Sequence, residues 1–463
     1  MRREDWQGVL RELDAAENEV GAVTSYMYAS CVHHLTKCRR WEEAIAIVYH
    51  MRERQLIPDH LCVNAVINGC TKAGQWERGL RLLEEARDWG TKLDVVSYNT
   101  AMSACAKGKR WEQAVSLLRT MVTLGIQPDV ISYNTAMSAC GGAGKWEEAV
   151  GILREMATNH TVVPDVVTYN TAIKACGEAG QWTRSVQLLR EMSMVGISPD
   201  VISFKSAIAA CRIAGEGRLS LELLREMPKM GIVPDTICAN LAVAACAQGG
   251  QWKESAATLR DMSTMGVARD SISYNTAISA CVGAGKWEEA LEIFREMKAV
   301  GDVSPDVITY NTAITACGNA GRWEESVALL REMAMVGLDP DVISYTAAVT
   351  ACGEGNNWEK ALELLREGLG SSFAPDVVIF SAAIWACGTG GQWEEGIKLL
   401  REMVTMGIAP NSICYRTAIA ACIKCGQNEQ AEALRREMLE LVPTSEEDGS
   451  SASFRLARVD DES

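Results

Sequence analysis

The sequence predicts an all-α fold, a right-handed α-solenoid superhelix of stacked antiparallel helix pairs. One observation behind this prediction is a segment that returns about every 35 residues almost from end to end. A fixed period of this length is typical of stacked supersecondary units. The other is that apolar residues within each copy recur at spacings of three and four, which indicates amphipathic helices. Function should therefore be sought in columns of equivalent positions along the repeats.

The repeats divide the chain into four parts. Residues 1–24 form a partial N-terminal repeat or cap, 25–411 hold eleven full repeats, 412–443 form a partial C-terminal repeat, and 444–463 are polar and expected to be disordered. The full repeats begin at residues 25, 60, 95, 130, 166, 201, 236, 271, 307, 342 and 377. Stability in such an array comes from contacts between neighbouring repeats.

The repeat Val95–Asp129 illustrates the two predicted helices. The first apolar stripe consists of Val95, Tyr98, Ala101, Met102 and Cys105, and the second of Trp111, Ala114, Val115, Leu118 and Met121. Asp94 offers an acceptor side chain suited to an N-cap of the first helix, and Gly108 stands where that helix should end. The Trp that opens the second helix in ten repeats is expected in the core. The acidic residues after it complement the positive end of the helix dipole.

Composition argues against an enzyme, a metal site and a membrane protein. Eleven of the 17 cysteines, from Cys70 to Cys422, hold the eleventh position of successive repeats, where we expect small buried residues and no disulfides. The Glu pairs recur in most repeats, so they are helix starts, and no nucleophile–base–acid set is visible. We expect no catalytic residue, cofactor or metal. No apolar run approaches the roughly 18 residues of a membrane helix.

A polar column occupies the fifth position of the first helix, where Asn recurs in seven repeats. Asn is an indifferent helix former, so its return needs an explanation. Each side chain could bond its own backbone or the neighbouring repeat. Alternatively, a row of amides, each with donors and an acceptor, could face a ligand that also repeats.

The period, the phrase SYNTAMSAC, the GKWEEA turn and the closing Pro-Asp resemble the pentatricopeptide-repeat family, as a P-type array of 35-residue repeats over roughly residues 25–443. The tetratricopeptide pattern lacks the Tyr-Asn-Thr phrase and the closing Pro-Asp. The resemblance implies binding of single-stranded RNA at one base per repeat. The fifth and last residues of a repeat would choose the base, and the second residue would sandwich it.

Carried onto this chain, the resemblance implies a U-rich target. The pairs expected to bind U are Asn64/Asp94, Asn99/Asp129, Asn134/Asp165, Asn170/Asp200, Asn240/Asp270, Asn275/Asp306 and Asn311/Asp341. Thr346/Asp376 would bind G and Ser381/Asn411 would bind A. Lys205/Asp235 is unassigned, and Ala29 and Arg416 leave the outer repeats silent. The sandwiching residues would be Val96, Ile131, Val167, Ile272, Ile308, Ile343 and Val378. With the family's polarity, the N-terminus faces the 5′ end of N-UUUU-N-UUU-G-A.

The charge of the chain bears on how strongly it could bind RNA. The formal net charge is −15, whereas nucleic-acid binders usually show a basic surface. A Lys at the thirteenth position occurs only as Lys37, Lys72, Lys107 and Lys424, which predicts a weak or strongly selective binder. A protein-binding scaffold, or the RNA-recognition fragment of a larger RNA-processing enzyme, stays open. The resemblance implies a monomer in a mitochondrion or plastid, with protein partners for RNA processing, although no transit peptide is visible.

Overall fold

The computed structural model describes residues 25–158, 162–301, 303–370 and 375–441. Within these ranges every element of regular secondary structure is an α-helix, and there are twenty-four of them. The all-α prediction is therefore confirmed. The cap expected at 1–24 and the tail expected at 444–463 lie outside the described residues. The remaining repeat boundaries stay a proposal.

The chain forms two compact units. The first unit is Met1–Ala268. Its helices are α1 (Ser25–Lys37), α2 (Trp41–Glu53), α3 (His60–Lys72), α4 (Trp76–Asp88), α5 (Val95–Lys107), α6 (Trp111–Thr123), α7 (Val130–Gly142), α8 (Trp146–Thr158), α9 (Val166–Glu178), α10 (Trp182–Met194), α11 (Val201–Ala214), α12 (Gly217–Lys229), α13 (Thr236–Gln248) and α14 (Trp252–Thr264).

The second unit is Arg269–Ser463. Its helices are α15 (Ser271–Gly283), α16 (Trp287–Val300), α17 (Val307–Asn319), α18 (Trp323–Met335), α19 (Val342–Glu354), α20 (Trp358–Leu369), α21 (Val377–Thr389), α22 (Trp393–Thr405), α23 (Ser412–Lys424) and α24 (Asn428–Leu441).

Each unit is a helical solenoid of stacked helix pairs. The odd-numbered helices are called first helices here and the even-numbered ones second helices. Within a unit, each first helix packs against the second helix that follows it and against the next first helix, and each second helix also touches the next first helix. The contact between successive first helices is the more extensive of the two contacts between pairs. The first helices therefore hold the stack together.

The first helices from α3 to α21 begin at aspartates that cap them. Asp94 Oδ1 accepts a hydrogen bond from the Ser97 backbone N–H at 2.9 Å, and the Ser97 hydroxyl lies near the Asp94 N–H in return. This reciprocal arrangement is a capping box, which satisfies donors that the helix leaves unpaired. The same box is formed at α7, α9, α11, α15, α17 and α19. The N-cap predicted for Asp94 is confirmed.

The first helix of this repeat ends where the sequence predicts, with Gly108 as its C-cap. Gly108 itself has a φ of −78°, and the left-handed residue is the next one, Lys109, with a φ of 56°. The equivalent residue of the following repeat is Gly144, whose φ is 72°. A side chain with a Cβ is strained in this region, so Lys109 occupies a position suited to glycine.

Close approach of the first helices explains the small residues between them. A Cβ added to Gly141 in α7 would lie 2.8 Å from the Cβ of Ala175 in α9. Cys105, Cys140 and their equivalents at the eleventh position are buried, and none of the 17 cysteines forms a disulfide. Burial raises the pKa of the Cys105 thiol to about 12. The expectation of small buried residues without disulfides is confirmed.

The tryptophans differ from the prediction, because they are half-buried and not in the core. Trp76 opens α4, and a Cβ on Gly108 of the next repeat would lie 2.6 Å from its ring. The guanidinium of Arg110, also from the next repeat, sits 5.3 Å from the ring centroid of Trp76. The indole is thus covered by the following repeat on part of its surface and open elsewhere, because it stands at the end of its helix.

Candidate nucleic-acid interface

The aspartate at the end of a repeat meets the fifth-position asparagine of the same repeat. In the first unit, Asn99 Nδ2 donates to Asp129 Oδ1 at 3.1 Å and Asn170 Nδ2 donates to Asp200 Oδ1 at 3.0 Å. The second unit repeats this bond. Its distances are 3.4 Å for Asn275–Asp306 and 3.1 Å for Asn311–Asp341. The structure therefore brings together residues that are 30 or 31 positions apart in the sequence.

Each of these carboxylates has two tasks, since it also caps the next first helix. Asp129 Oδ1 accepts the Ser132 backbone N–H at 2.8 Å in addition to the amide of Asn99. The helix cap therefore fixes the carboxylate in place, and the carboxylate in turn fixes the asparagine. Because of this chain of contacts, the orientation of the amide follows from the fold of the neighbouring repeat.

The carboxyl groups in this arrangement are ionised at neutral pH. Partial burial raises the pKa of the Asp129 carboxyl, but the hydrogen bonds from Ser132 and Asn99 outweigh it and hold the pKa below its ordinary value. The pKa of Asp200 is lowered in the same way, because the hydrogen bonds from Ser203 and Asn170 outweigh the effect of burial. The lowered pKa extends to Asp94, Asp235, Asp306 and Asp341.

An ionised carboxylate decides which end of the amide remains for a ligand. It only accepts hydrogen bonds, so the NH₂ group of the asparagine must face it and the carbonyl oxygen must point elsewhere. The Oδ1 atom is buried and has no hydrogen-bond partner among the described residues at Asn64, Asn99, Asn134, Asn170 and Asn275. At Asn64 the buried Nδ2 atom has no partner there either, so the predicted Asn64/Asp94 pair is not joined by a hydrogen bond. Asn311 differs, because its Oδ1 lies 2.6 Å from the Ser344 hydroxyl. A buried acceptor without a partner costs about 1–3 kcal/mol, which a donor on a ligand would recover.

The second position of the first helices carries exposed aliphatic side chains. All seven residues predicted to sandwich a base are exposed, from 51% at Val378 to 64% at Ile308. The other members of the predicted set are Val96, Ile131, Val167, Ile272 and Ile343. Large aliphatic side chains that recur at one exposed position form an apolar surface, and such surfaces mark interaction sites.

Four further residues belong to this column and were missed by the sequence reasoning. They are Leu61, Ile202, Ile237 and Ile413, each more than half exposed. The signal was available, because all four stand at the second position of a repeat. Two of them, Leu61 and Ile237, stand in repeats that are expected to bind U.

The C-terminal predicted pairs have different geometry. The Thr346 hydroxyl is buried without a hydrogen-bond partner in the described residues, while Asp376 caps α21 through the Val378 and Ile379 N–H groups. Ser381 donates to the carbonyl of Val378 in its own helix at 2.8 Å. Asn411 accepts from the Cys414 N–H at 3.0 Å and so caps α23. The caps are therefore retained where the fifth residue changes.

Some predicted residues are not joined by a described contact. Asn134 and Asp165 hold the same positions in the first unit as the bonded pairs, and Asp165 caps α9 through Thr168. Asn240 lies in the first unit and Asp270 in the second, so their pairing stays a prediction. The predicted lysines Lys37, Lys72, Lys107 and Lys424 are each the last residue of a first helix.

The described residues contain no group of three or more His, Cys, Asp or Glu side chains that could hold a metal ion. None of the helices in the same ranges has both the length and the hydropathy to span a bilayer.

The chain is similar in fold to solved repeat proteins. The crystal structure of the pentatricopeptide repeat protein PPR10 from maize has a TM-score of 0.52 and 20% identity over 94% of this chain and 66% of its own. PPR10 in complex with an 18-nucleotide psaJ RNA element gives a TM-score of 0.45 and 22% identity, over 94% of this chain and 72% of its own. Yeast Rmd9p in complex with a 16-nucleotide target RNA gives 0.39 and 10% identity over 94% of both chains. The chain thus spans just under two thirds of maize PPR10.

Sequence comparison identifies the repeats directly. No curated protein sequence matches the chain. The model of the PPR repeat family matches residues 58–107, 93–142, 164–213, 269–317, 305–354 and 375–424. The model of the single PPR repeat matches 131–160, 202–232, 343–372 and 413–441. Since these matches cover more than half of its residues, the chain belongs to the pentatricopeptide-repeat family.

Proposed function

We propose that this protein binds single-stranded, U-rich RNA, with one base held by each repeat. The observation that carries the proposal is a set of buried asparagine carbonyl oxygens that have no partner among the described residues. At Asn99, Asn170 and Asn275 the amide is also oriented by an aspartate whose pKa is lowered. Each oxygen requires a hydrogen-bond donor from a ligand that repeats with the protein. Membership in the pentatricopeptide-repeat family supports RNA as that ligand.

The chemistry of uracil fits the open acceptor. Uracil carries an N–H group at the ring nitrogen of its Watson–Crick edge, which can donate to an asparagine Oδ1. Cytosine and adenine carry an unprotonated nitrogen at the corresponding place and would meet the oxygen with a lone pair. Guanine also has a ring N–H, and the family resemblance assigns it to threonine, here Thr346, so that Asn in the same position is left for uracil. Unstacked bases are commonly recognised on this edge in single strands.

The aliphatic column supplies the second element of a base site. Ile131 and Val167 stand at the second position of successive first helices in the first unit and are 62% and 57% exposed. Every base has an apolar face that can pack on such side chains whatever its identity. We therefore assign affinity for the base plane to this column and base choice to the fifth and last residues.

The charge of the protein shapes the expected salt dependence. Backbone phosphates dominate nonspecific affinity, and each neutralised phosphate steepens the loss of binding with salt. With a net charge of −15 and few lysines at the thirteenth position, the protein should make few phosphate contacts. Binding should then depend mainly on contacts with the bases. At equal affinity, the protein should therefore discriminate between RNA sequences more strongly than a basic RNA-binding protein does.

Binding of this kind would hold the strand extended, and so mask it from nucleases and from competing hairpins. We place the protein in the processing, stability or translation of transcripts in a mitochondrion or plastid, as the family resemblance implies. Catalysis is not part of the proposal. Protein partners that act on the bound transcript would supply the chemistry.

The test is fluorescence anisotropy with a labelled AUUUUAUUUGA RNA and a composition-matched scramble at two salt concentrations. The proposal expects tight binding of the ordered sequence, weak binding of the scramble, and a shallow salt slope. Equal binding of both would overturn the base assignments. If neither RNA bound at either salt, a protein-binding scaffold would replace RNA binding as the function.

The base assignment has a sharper test in one column. Asn134→Thr should move the preference at the corresponding nucleotide from U to G while the other positions keep theirs. A wrong base costs roughly 1–3 kcal/mol when recognition is direct, so the change in relative affinity should be about fivefold or more. An unchanged preference at that nucleotide would show that the fifth residue does not choose the base.

A further inference from the structure

One repeat of the first unit departs from the column in a way that the base assignments leave unexplained. Lys205 occupies the fifth position of the 201–235 repeat, where neighbouring repeats have asparagine. It lies in α11, and its side chain is half-buried. The substitution replaces an amide by a cation at the position that we assign to base choice.

Both helix caps of this repeat are retained, although Gly217 stands where most repeats have the tryptophan that opens the second helix. Asp200 forms the capping box of α11 with Ser203, and Asp235 caps α13 by accepting the Cys238 N–H at 2.7 Å. The last residue of the repeat therefore caps the next first helix as it does in the preceding repeat, but through this backbone bond and not through a capping box.

The aliphatic surfaces on both sides of the site are intact as well. Ile202 at the second position of α11 is 52% exposed, and Ile237 at the second position of α13 is 56% exposed. These values fall in the range of the neighbouring repeats, such as Val167 at 57%. The place for a base plane is thus retained, and only the group that contacts the base edge has changed.

Lys205 lies close enough to Asp235 to act on its carboxyl group through charge, although no ion pair joins the two side chains. Partial burial raises the pKa of the Asp235 carboxyl, but the contacts from Cys238 and the positive charge of Lys205 outweigh it and lower the pKa. The ammonium forms no hydrogen bond to another described residue, so its donors are open to a ligand. An ammonium compensated by a neighbouring carboxylate gains less from a phosphate than an isolated one would.

The hydrogen-bonding polarity of the site is inverted relative to asparagine. An asparagine bonded to aspartate leaves an acceptor for the ligand, whereas a lysine ammonium has three donors and no acceptor. A uracil or guanine ring N–H cannot bond these donors, so either base would have to accept through a carbonyl oxygen beside the ring nitrogen. The ring nitrogens of cytosine and adenine are acceptors and can bond these donors directly.

We propose that the 201–235 repeat binds a base whose Watson–Crick ring nitrogen is an acceptor, cytosine or adenine, and disfavours uracil, with Lys205 as the specificity-determining residue. The inference rests on the proposed RNA-binding function. It assigns a base preference to the nucleotide between the two U tracts, which the family resemblance leaves unassigned. The expected RNA site becomes UUUU-(C or A)-UUU-G-A.

The experiment measures binding of four RNAs, AUUUUXUUUGA with X as A, C, G or U, by anisotropy at one salt concentration. Wild-type protein should bind the better of X = C and X = A at least about fivefold more tightly than X = U, the lower end of the range for a direct base contact. Lys205→Asn restores the asparagine–aspartate pair, and it should make X = U the preferred ligand.

Lys174→Asn is the matched control. Lys174 lies in α9, its side chain is 68% exposed, and its substitution removes the same charge from a neighbouring repeat. This variant should keep the wild-type preference at X. A switch to U in both variants would mean that net charge decides the preference, which would overturn the assignment to Lys205.

Two other outcomes would also overturn the inference. Wild-type preference for X = U would contradict the polarity argument. Equal affinity for all four RNAs, with a uniform loss in Lys205→Asn and a salt slope reduced by about one, would place Lys205 on a phosphate. Failure of the proposed function is distinguishable from both, because replacing the four U upstream of X by A would then leave binding unchanged.

Discussion

The first helices and the second helices of each unit are similar in length but differ in what fixes them. A first helix such as α7 begins at an aspartate whose side chain caps it, and it packs closely on the next first helix. A second helix such as α10 begins at Gln181, whose side chain makes no capping bond. Both recurring columns, the fifth-position amides and the second-position aliphatics, stand on the first helices. The positions that we propose for base recognition therefore lie on the helices that have the stronger caps and the closer packing.

Adding one methyl group should have opposite effects in the two layers. Gly141→Ala puts a Cβ 2.8 Å from that of Ala175, so we expect a loss of about 1–3 kcal/mol through overpacking. Gly151→Ala in α8 meets nothing within 4 Å and should stabilise by up to about 1 kcal/mol, the helix preference of alanine over glycine. Urea unfolding followed by circular dichroism measures both. Effects of the same sign would contradict the difference in packing between the layers.

Removing a helix start should also matter more in the first helices. Asp129→Ala deletes the cap of α7 together with the partner of Asn99, and we expect a loss of about 1 kcal/mol. Hydrogen exchange followed by mass spectrometry should show faster exchange in the 130–142 peptide. The control is Gln181→Ala at the start of α10, which should change exchange little because no capping bond is lost. An equal increase in exchange in the two variants would contradict the proposed difference between first and second helices.

Acid should weaken the first helices through their caps. The pKa values of Asp129 and Asp200 are lowered in the folded protein, so their contribution is complete above the unfolded value of about 3.9 and is lost as pH falls through the folded pKa. The thermal midpoint should therefore drop as the pH falls below about 4. The double variant Asp129→Asn/Asp200→Asn keeps neutral caps and should lose less, and a loss equal to that of the wild type would assign the acid sensitivity elsewhere.

The smallest effect is expected at the acidic starts of the second helices. Glu147→Gln/Glu148→Gln removes two exposed charges from the first turn of α8, each worth about 0.3–1 kcal/mol through the helix dipole. RNA affinity should stay within about twofold, because these side chains lie away from both recognition columns. A large loss of RNA binding would extend the interface to the second helices.

Local and repeated features could be predicted from the sequence. Helix pairs, the Asp94 cap and the buried cysteine column depend on spacing within one repeat, and the same pattern is present many times. The tryptophans were misjudged because their exposure depends on the following repeat, which covers only part of each ring. Lys109 in a glycine position could not be foreseen from one copy, since the left-handed residue follows the predicted glycine by one.

The asparagine column shows where sequence reasoning reaches its limit. It left two explanations open, a bond to the neighbouring repeat and a contact with a ligand. The structure shows that one end of the Asn99 amide meets the aspartate that caps the next helix, while the other end meets no hydrogen-bond partner among the residues that the structure describes. Which end of the amide is left without a partner depends on the contact between Asn99 and Asp129, which are 30 positions apart, and on the charge of the carboxylate. Neither is encoded in local spacing.

The alkylation rates of the buried cysteines in each unit report how often the individual repeats open. At least one buried thiol stands in each first helix from α3 onward, and burial raises the pKa of those of Cys105 and Cys140. Alkylation requires a thiolate and access, so each of these residues reacts only when its own helix pair opens. The rates along the chain would map opening repeat by repeat. A bound strand that bridges successive first helices would lower the alkylation rates of the cysteines in those repeats and leave the rates in the other repeats unchanged.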